Sequence, residues 1–370
     1  MYKNILNKIK SLKNFFVKKE IKVINKNDIV FGFWKDVSEE CKKENRPMVV
    51  LAPMADVTDV AFRYMLNKYG KPDVTWTEFV SCDGLMSPGR EVLSRDLEYS
   101  EIERPVVAQL FTSSPENMEG AVKLCLSLGF DGVDINMGCP VNVVGKQGAG
   151  ARLITEPKLA QEIIRAAQRG ARYFDPVTGE HLKEKDMPVS VKTRLGYSKM
   201  EYKTWIPAVL ECGIPTLTLH MRTRSEMSKV PAHFELIDEI YDIVKKVSPS
   251  TNLIINGDIK TVEQANEMYK KYKMDGAMIG RGVFGAPWTF NQREDMPTFN
   301  LSEKLEIMLE HTKLFEEKLG DIKSFALMKK HYKAYVNGFD GAAELRAKLF
   351  DTQNFDEVKK VTRDFIQSIK

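Results

Sequence analysis

A chain of 370 residues, 43% hydrophobic and 29% charged, can bury one large core and a smaller one and has the composition of a globular protein. A net charge of +4 is too small to mark a nucleic-acid partner by itself. No apolar run approaches the ~20 residues that span a bilayer, and the lysine-rich start lacks a secretory cleavage pattern, so a cytoplasmic location is expected.

Residues 1–26 hold eight lysines against the single acid Glu20, interleaved with Ile5, Leu6, Ile9, Leu12, Phe15 and Phe16. The pattern is that of a basic amphipathic helix, suited to phosphates or an anionic membrane surface, and equally that of a solvated extension. We read residues 1–46 as a basic N-terminal extension. The five cysteines are scattered, with no Cys-x-x-Cys pair and no zinc-ligand spacing, so neither a disulfide framework nor a metal is expected.

From residue 47 to about 295, short apolar runs alternate with amphipathic helical stretches. The predicted strands are 48–53, 73–80, 105–111, 132–136, 188–193, 215–220, 252–257 and 276–280. The predicted helices include 59–69, 115–129, 156–169, 201–212, 233–247 and 261–272. Strands apolar on both faces belong to a parallel sheet covered by helices, and eight such units predict a (β/α)8 TIM barrel. Ser114-Pro115-Glu116 and Thr155-Glu156-Pro157 each place a hydroxyl at an expected N-cap, and 171–187 reads as a small excursion. Beyond it, residues 296–370 show helical periodicity alone and predict a small C-terminal all-helical domain. There Lys323, Lys329, Lys330, His331 and Lys333 form a basic run interleaved with Tyr332 and Tyr335, a face suited to RNA backbone or simply to water.

A barrel assembles its site at the C-terminal ends of the strands. Those ends carry Pro53, Met54 and Ala55, then Gln109, then Asn136 with Cys139, then Lys192 and Arg194. The remaining ends carry His220 with Arg222 and Arg224, Asn256-Gly257-Asp258, and Gly280-Arg281-Gly282. So many polar groups at buried strand ends imply a ligand. The last two ends read as a phosphate cradle, with a short helix expected from Ala286-Pro287-Trp288. Lys192 suits the negative charge of a reduced flavin, and Gln109 its polar edge. Gly148-Ala149-Gly150 does not open a helix after a strand and lacks a third glycine, so no Rossmann site is implied.

The segments Leu51-Ala52-Pro53-Met54-Ala55-Asp56, Asp134-Ile135-Asn136-Met137-Gly138-Cys139-Pro140, Val191-Lys192-Thr193-Arg194, His220-Met221-Arg222-Thr223-Arg224, Asn256-Gly257-Asp258 and Gly280-Arg281-Gly282 stand in one order and spacing. Together they resemble the tRNA-dihydrouridine synthase family over roughly residues 48–346, and Lys330-His331 with Gly341-Ala342-Ala343-Glu344-Leu345-Arg346 extends the resemblance into the helical region. The resemblance implies FMN as cofactor, NADPH (or NADH) as reductant, tRNA as partner, and reduction of the uracil C5=C6 bond. It implies that Cys139 protonates C5, and that Asn136 bonds the uracil edge or the flavin. Arg194, Arg222 and Arg224 become candidates for uracil or phosphate contacts, and Lys330, His331 and Arg346 for tRNA. Two alternatives stay beside this reading: an FMN-dependent barrel reductase of a small pyrimidine or enone, and a non-catalytic RNA-binding protein. The chain departs from the family pattern at Met221, at Ser228-Lys229-Val230-Pro231-Ala232-His233-Phe234 and at Ala286.

Overall fold

A computed structural model describes residues 24–291 and 299–368. The expected amphipathic helix of residues 1–26, and any surface contact made through it, lies almost wholly outside the described residues. The barrel strands are β1 (Met48–Leu51), β2 (Thr75–Ser81), β3 (Val106–Phe111), β4 (Gly132–Met137), β5 (Val189–Arg194), β6 (Thr216–His220), β7 (Asn252–Asn256) and β8 (Gly276–Ile279). All neighbours pair in parallel, in the order β1-β8-β7-β6-β5-β4-β3-β2. Closure between β1 and β2 is made by two backbone bonds, Asp73 N to Val49 O at 3.0 Å and Leu51 N to Val74 O at 3.2 Å. The architecture is the expected (β/α)8 barrel.

Side-chain alternation sorts each strand into an inner and an outer set. Val49, Leu51, Ala108, Leu110, Leu253 and Ile255 join the large core beneath the surrounding helices. Met48, Val50, Trp76, Val107, Ile254 and Met278 form a separate cluster inside the barrel. That inner cluster also takes Trp34, from a helix α1 (Phe33–Lys43) that precedes the first strand. Part of the stretch read from sequence as an extension therefore packs into the barrel interior.

The covering helices are α2 (Val60–Tyr69), α3 (Pro115–Ser127), α4 (Pro157–Gly170), α5 (Tyr202–Leu210), α6 (Ile237–Val247) and α7 (Val262–Lys271). Ser114 caps α3 as expected, accepting from Asn117 N at 3.2 Å. Thr155 does not cap α4: Glu156 holds the cap position without a side-chain bond, and the Thr155 hydroxyl donates to Arg152 O instead. The expected helix at 286–288 is also absent. Three residues of 3₁₀ helix at Arg281–Val283 stand there, stopped by Gly285, whose φ of 68° brings it against the backbone of Ala334.

Among the described residues beyond the barrel lie four α-helices, α8 (Leu301–Leu319), α9 (Met328–Tyr335), α10 (Ala342–Asp351) and α11 (Phe355–Ser368). Asn300 and Glu303 form a capping box that starts α8. α8 lies along α2, where His311 stacks on Phe62 with ring centroids 4.9 Å apart. No helix among the described residues is long and apolar enough to cross a membrane.

Candidate active site

At the C-terminal mouth of the barrel a cavity of about 400 Å³ opens. It brings together nearly every residue singled out at the strand ends: Pro53, Met54, Ala55, Gln109, Asn136, Cys139, Lys192, Arg194, His220, Asn256, Gly257, Asp258, Gly280 and Arg281. Residues not foreseen also line it, among them Phe79, Val141, Ser228 and Lys260. Phe79 gets there through a bulge: β2 slips against β3 between Trp76 and Phe79, which turns Phe79 inward. Nothing in the sequence period signals that slip.

The floor is a chain of amides hung on one carboxylate. Asp134, fully buried, accepts from Ser190 Oγ at 2.7 Å and from Gln109 Nε2 at 2.7 Å. Gln109 Oε1 accepts from Asn136 Nδ2 at 2.9 Å, and Asn136 Oδ1 accepts from Cys139 N at 2.8 Å and Gly138 N at 3.1 Å. Each bond fixes the orientation of the next amide. Gln109 lines the cavity, and Asn136 is committed to the turn that carries Cys139. Burial pushes Asp134 up to about 6, against the pull of its hydrogen bonds.

Cys139 is 9% exposed and packs with Phe111, Val144 and Ala149. Gly138 allows the strand end to cross β5, since a Cβ there would sit 3.3 Å from the Thr193 backbone. Gly150, at φ 63°, wraps the other side, and a Cβ on it would meet Cys139 O at 3.0 Å. The glycine segment 148–150, set aside as a nucleotide fingerprint, thus encloses the thiol. Burial raises the Cys139 pKa above its ordinary value of 9.0, although Arg194 and Lys192 pull it down. The thiol is protonated at neutral pH.

The neighbouring strand β5 makes the next part of the wall cationic. Lys192 Nζ donates to Asn256 Oδ1 at 3.1 Å, and Asn256 Nδ2 donates to Met278 O at 2.9 Å. Burial, then the charge of Arg194, lower Lys192 to about 8. Arg194 donates to Gly138 O at 2.7 Å and to Thr223 O at 3.1 Å, so it braces the Cys139 turn while lining the cavity. Burial and the surrounding guanidinium and ammonium groups hold His220 neutral, and its Nδ1 is buried without a protein partner. Gly257, at φ 119°, adopts a backbone that side chains resist.

Lys192, Arg194, Lys260 and Arg281 line the cavity against the one carboxylate of Asp258. Asp258 is itself bonded to Arg222, to Arg281 at 3.3 Å and to Ala232 N at 3.0 Å. An unpartnered buried imidazole nitrogen and an excess of cations fit an anionic, hydrogen-bonding ligand with a phosphate near Gly257 and Arg281. Three residues of 3₁₀ helix carry little dipole, so the expected helix N-terminus is not part of this wall.

Other predicted residues stand away from the cavity. Arg222 is buried, donating to Val230 O at 2.6 Å as well as to Asp258. Arg224 donates to Asn142 and lies over the Tyr197 ring. His331 is 1% exposed between Phe62, Phe284 and His311, so it has no surface to offer RNA. Tyr332 and Tyr335 are buried too. Lys330 donates to Asp56 O at 2.9 Å and Arg346 to Val336 O at 2.6 Å. The departing segment at 228–234 is closed by His233, held between Glu226 and Glu235 at 2.9 Å each.

A sequence model of the family described as dihydrouridine synthase matches residues 50–370. The chain is 38% identical over 337 residues to a probable tRNA-dihydrouridine synthase of Staphylococcus aureus, covering 90% of this chain and 95% of that protein. It is likewise 38% identical over 337 residues to the probable tRNA-dihydrouridine synthase 2 of Bacillus subtilis, covering 90% and 96%. A probable tRNA-dihydrouridine synthase of Staphylococcus epidermidis is 40% identical over 324 residues, covering 86% and 94%.

Proposed function

This chain belongs to the dihydrouridine synthase family, and on that premise we propose that it reduces the C5=C6 bond of uridines in tRNA. In this reading FMN occupies the barrel mouth, NADPH (or NADH) is the reductant, and Cys139 is the proton donor. The observation that carries it is an enclosed thiol that lines one cavity together with Lys192 and Arg194 of the neighbouring strand. When bound, the flavin supplies a hydride for one carbon of the double bond. The protein must then deliver a proton to the other carbon.

Cys139 is built for that transfer. Its thiol keeps its proton at neutral pH, and Asn136 and Gly150 fix the turn that presents it. Lys192 and Arg194 stabilise negative charge at the ring and on the pyrimidine carbonyls. His220, Gly257, Gly280 and Arg281 would hold the ribityl phosphate end, with Pro53, Met54 and Ala55 along the ring. Uridine has to leave its stack to reach the thiol, so the enzyme must grip folded RNA. We assign residues 47–295 to catalysis and the helices of 296–370 to holding tRNA, and we assign the enzyme to the cytoplasm because that is where its proposed substrate would be met. On the basic run, Lys329 and Lys333 remain available to phosphates.

The test is Cys139→Ala in the full chain. It should bind FMN and tRNA as the parent does and form dihydrouridine at least ~100-fold more slowly, the lower bound for a lost general acid. Unchanged dihydrouridine formation would remove Cys139 from this role. A parent protein that purifies without yellow flavin would favour the non-catalytic alternative, and reduction of free uracil at the rate for tRNA would favour the small-substrate one.

A further inference from the structure

The loop that follows β1 lines the cavity through Pro53, Met54 and Ala55 and then turns sharply at Asp56. Asp56 adopts φ 54°, a left-handed backbone that a non-glycine residue keeps only when its surroundings enforce it. Both of its backbone groups are held. Its N–H donates to Glu78 Oε1, and its carbonyl accepts from Lys330 Nζ at 2.9 Å. Glu78 is in turn gripped by Lys323, with Nζ 2.7 Å from Oε2, and Lys323 also reaches Asp96 at 2.9 Å. The Glu78 and Lys323 side chains are 6% and 14% exposed, so this ion pair is shielded from water. Both lysines come from the helical region, some 270 residues downstream of the loop they hold.

We infer that Lys323 and Lys330 are positioning residues that clamp the Met54–Asp56 loop against the cofactor cavity. The helical region is thereby a structural part of the site and not only a handle for RNA. Lys330 acts directly on the Asp56 peptide; Lys323 acts through Glu78. Burial raises the Glu78 pKa while the cation on Lys323 pulls it down, so Lys323 favours the charged carboxylate that accepts from Asp56 N. Bonds of Met54 with Thr58 Oγ1, at 2.9 Å and 3.2 Å, and from Val57 N and Thr58 N to Met54 O, at 3.1 Å and 3.0 Å, close the loop locally but do not tie it to anything outside.

This inference rests on the reading of the cavity as a flavin site, and the experiment separates the two. In the full chain, Lys330→Met and the conservative Lys330→Arg are compared with the parent by hydrogen exchange and by FMN titration, both without RNA. Exchange in the 53–58 segment should be about tenfold faster in Lys330→Met, the effect of one lost charge-assisted hydrogen bond, and near the parent rate in Lys330→Arg. FMN should bind about tenfold more weakly to Lys330→Met, with an altered visible circular dichroism of the bound flavin, while the melting temperature stays within a few degrees. Lys323→Met should do the same more strongly, and if it fails to fold, Lys330→Met alone decides. Unchanged exchange and FMN affinity in Lys330→Met would overturn the clamp. A parent that takes up no FMN while its 53–58 segment still loosens in Lys330→Met would overturn the flavin reading and leave the clamp standing.

Discussion

Cys139 and Lys192 share one cavity, and withdrawal from water favours the uncharged form of each. For the thiol that means a pKa above 9.0; for the ammonium, with Arg194 adding repulsion, it means about 8. At pH 7 both hold their protons, and as pH rises Lys192 loses its own first. Charge on Lys192 is therefore present below about pH 8 and lost above it, while the proton on Cys139 persists. Flavin reduction by NADPH, followed by absorbance in a stopped-flow instrument, should slow above pH 8, approaching tenfold per unit. Lys192→Met should be about tenfold slower at pH 7 and flat across that range; an alkaline limb that survives the substitution would assign it to another group. These two residues were legible in the sequence because strand alternation and barrel topology allow one place for a strand-end side chain. What Arg222, Lys330 and His331 turn toward was not legible, for a complementary reason. Sequence gives a side chain's charge but not its direction, and each of these turns toward a carboxylate, a carbonyl or an apolar wall formed by distant residues.

The strands were found to within two residues, because runs buried on both faces leave no other period to read. Helix α1 was not recognised as part of the barrel. An amphipathic helix before the first strand has no local mark that says which surface it covers, and only the closed barrel creates the open lower end it fills. Trp34 makes the difference: it is 1% exposed, lies 5.7 Å from the Trp76 ring, and completes the inner cluster of Met48, Val50 and Val107. Trp34→Ala removes a large buried side chain from a closed space and should destabilise the protein by about 3–5 kcal/mol. Denaturant unfolding would measure the loss. Since the inner cluster lies below the cavity, FMN affinity in the folded baseline should stay within about twofold of the parent. A variant that loses flavin before it unfolds would show that α1 supports the site and not only the barrel.

At the scale of the molecule, the junction of barrel and helical region is built on two imidazoles that burial holds neutral at pH 7. The His311 and His331 ring centroids lie 4.6 Å apart, His311 stacked on Phe62 of α2 and His331 tilted against it, with His311 Nε2 and His331 Nδ1 buried without partners. Burial, with Lys330 adjacent, drives His331 down to about 3, and burial drives His311 well below its ordinary 6.5. Between pH 6.5 and 3 the unfolded chain therefore binds protons that the folded one excludes. Stability falls with pH through that window, by up to about 1.4 kcal/mol per unit for each imidazole. Asp59 works the other way. Burial and the charge of Glu78 raise it to about 7, so from pH 7 to 3.8 the folded state holds a proton that the unfolded state releases, and acid favours folding there. The parent's slope is the balance of these groups and does not identify any of them. His331→Leu isolates one, because it removes an excluded proton while keeping an apolar side chain against Phe62. Thermal melts from pH 7 to 4.5 should show the stability difference shifting in favour of His331→Leu as acid is added, whichever protein is more stable at pH 7, because His331→Leu loses less stability per unit. Parallel melting curves across that range would mean that His331 is protonated in the folded protein, and that the junction accommodates charge which its packing gives no means to solvate.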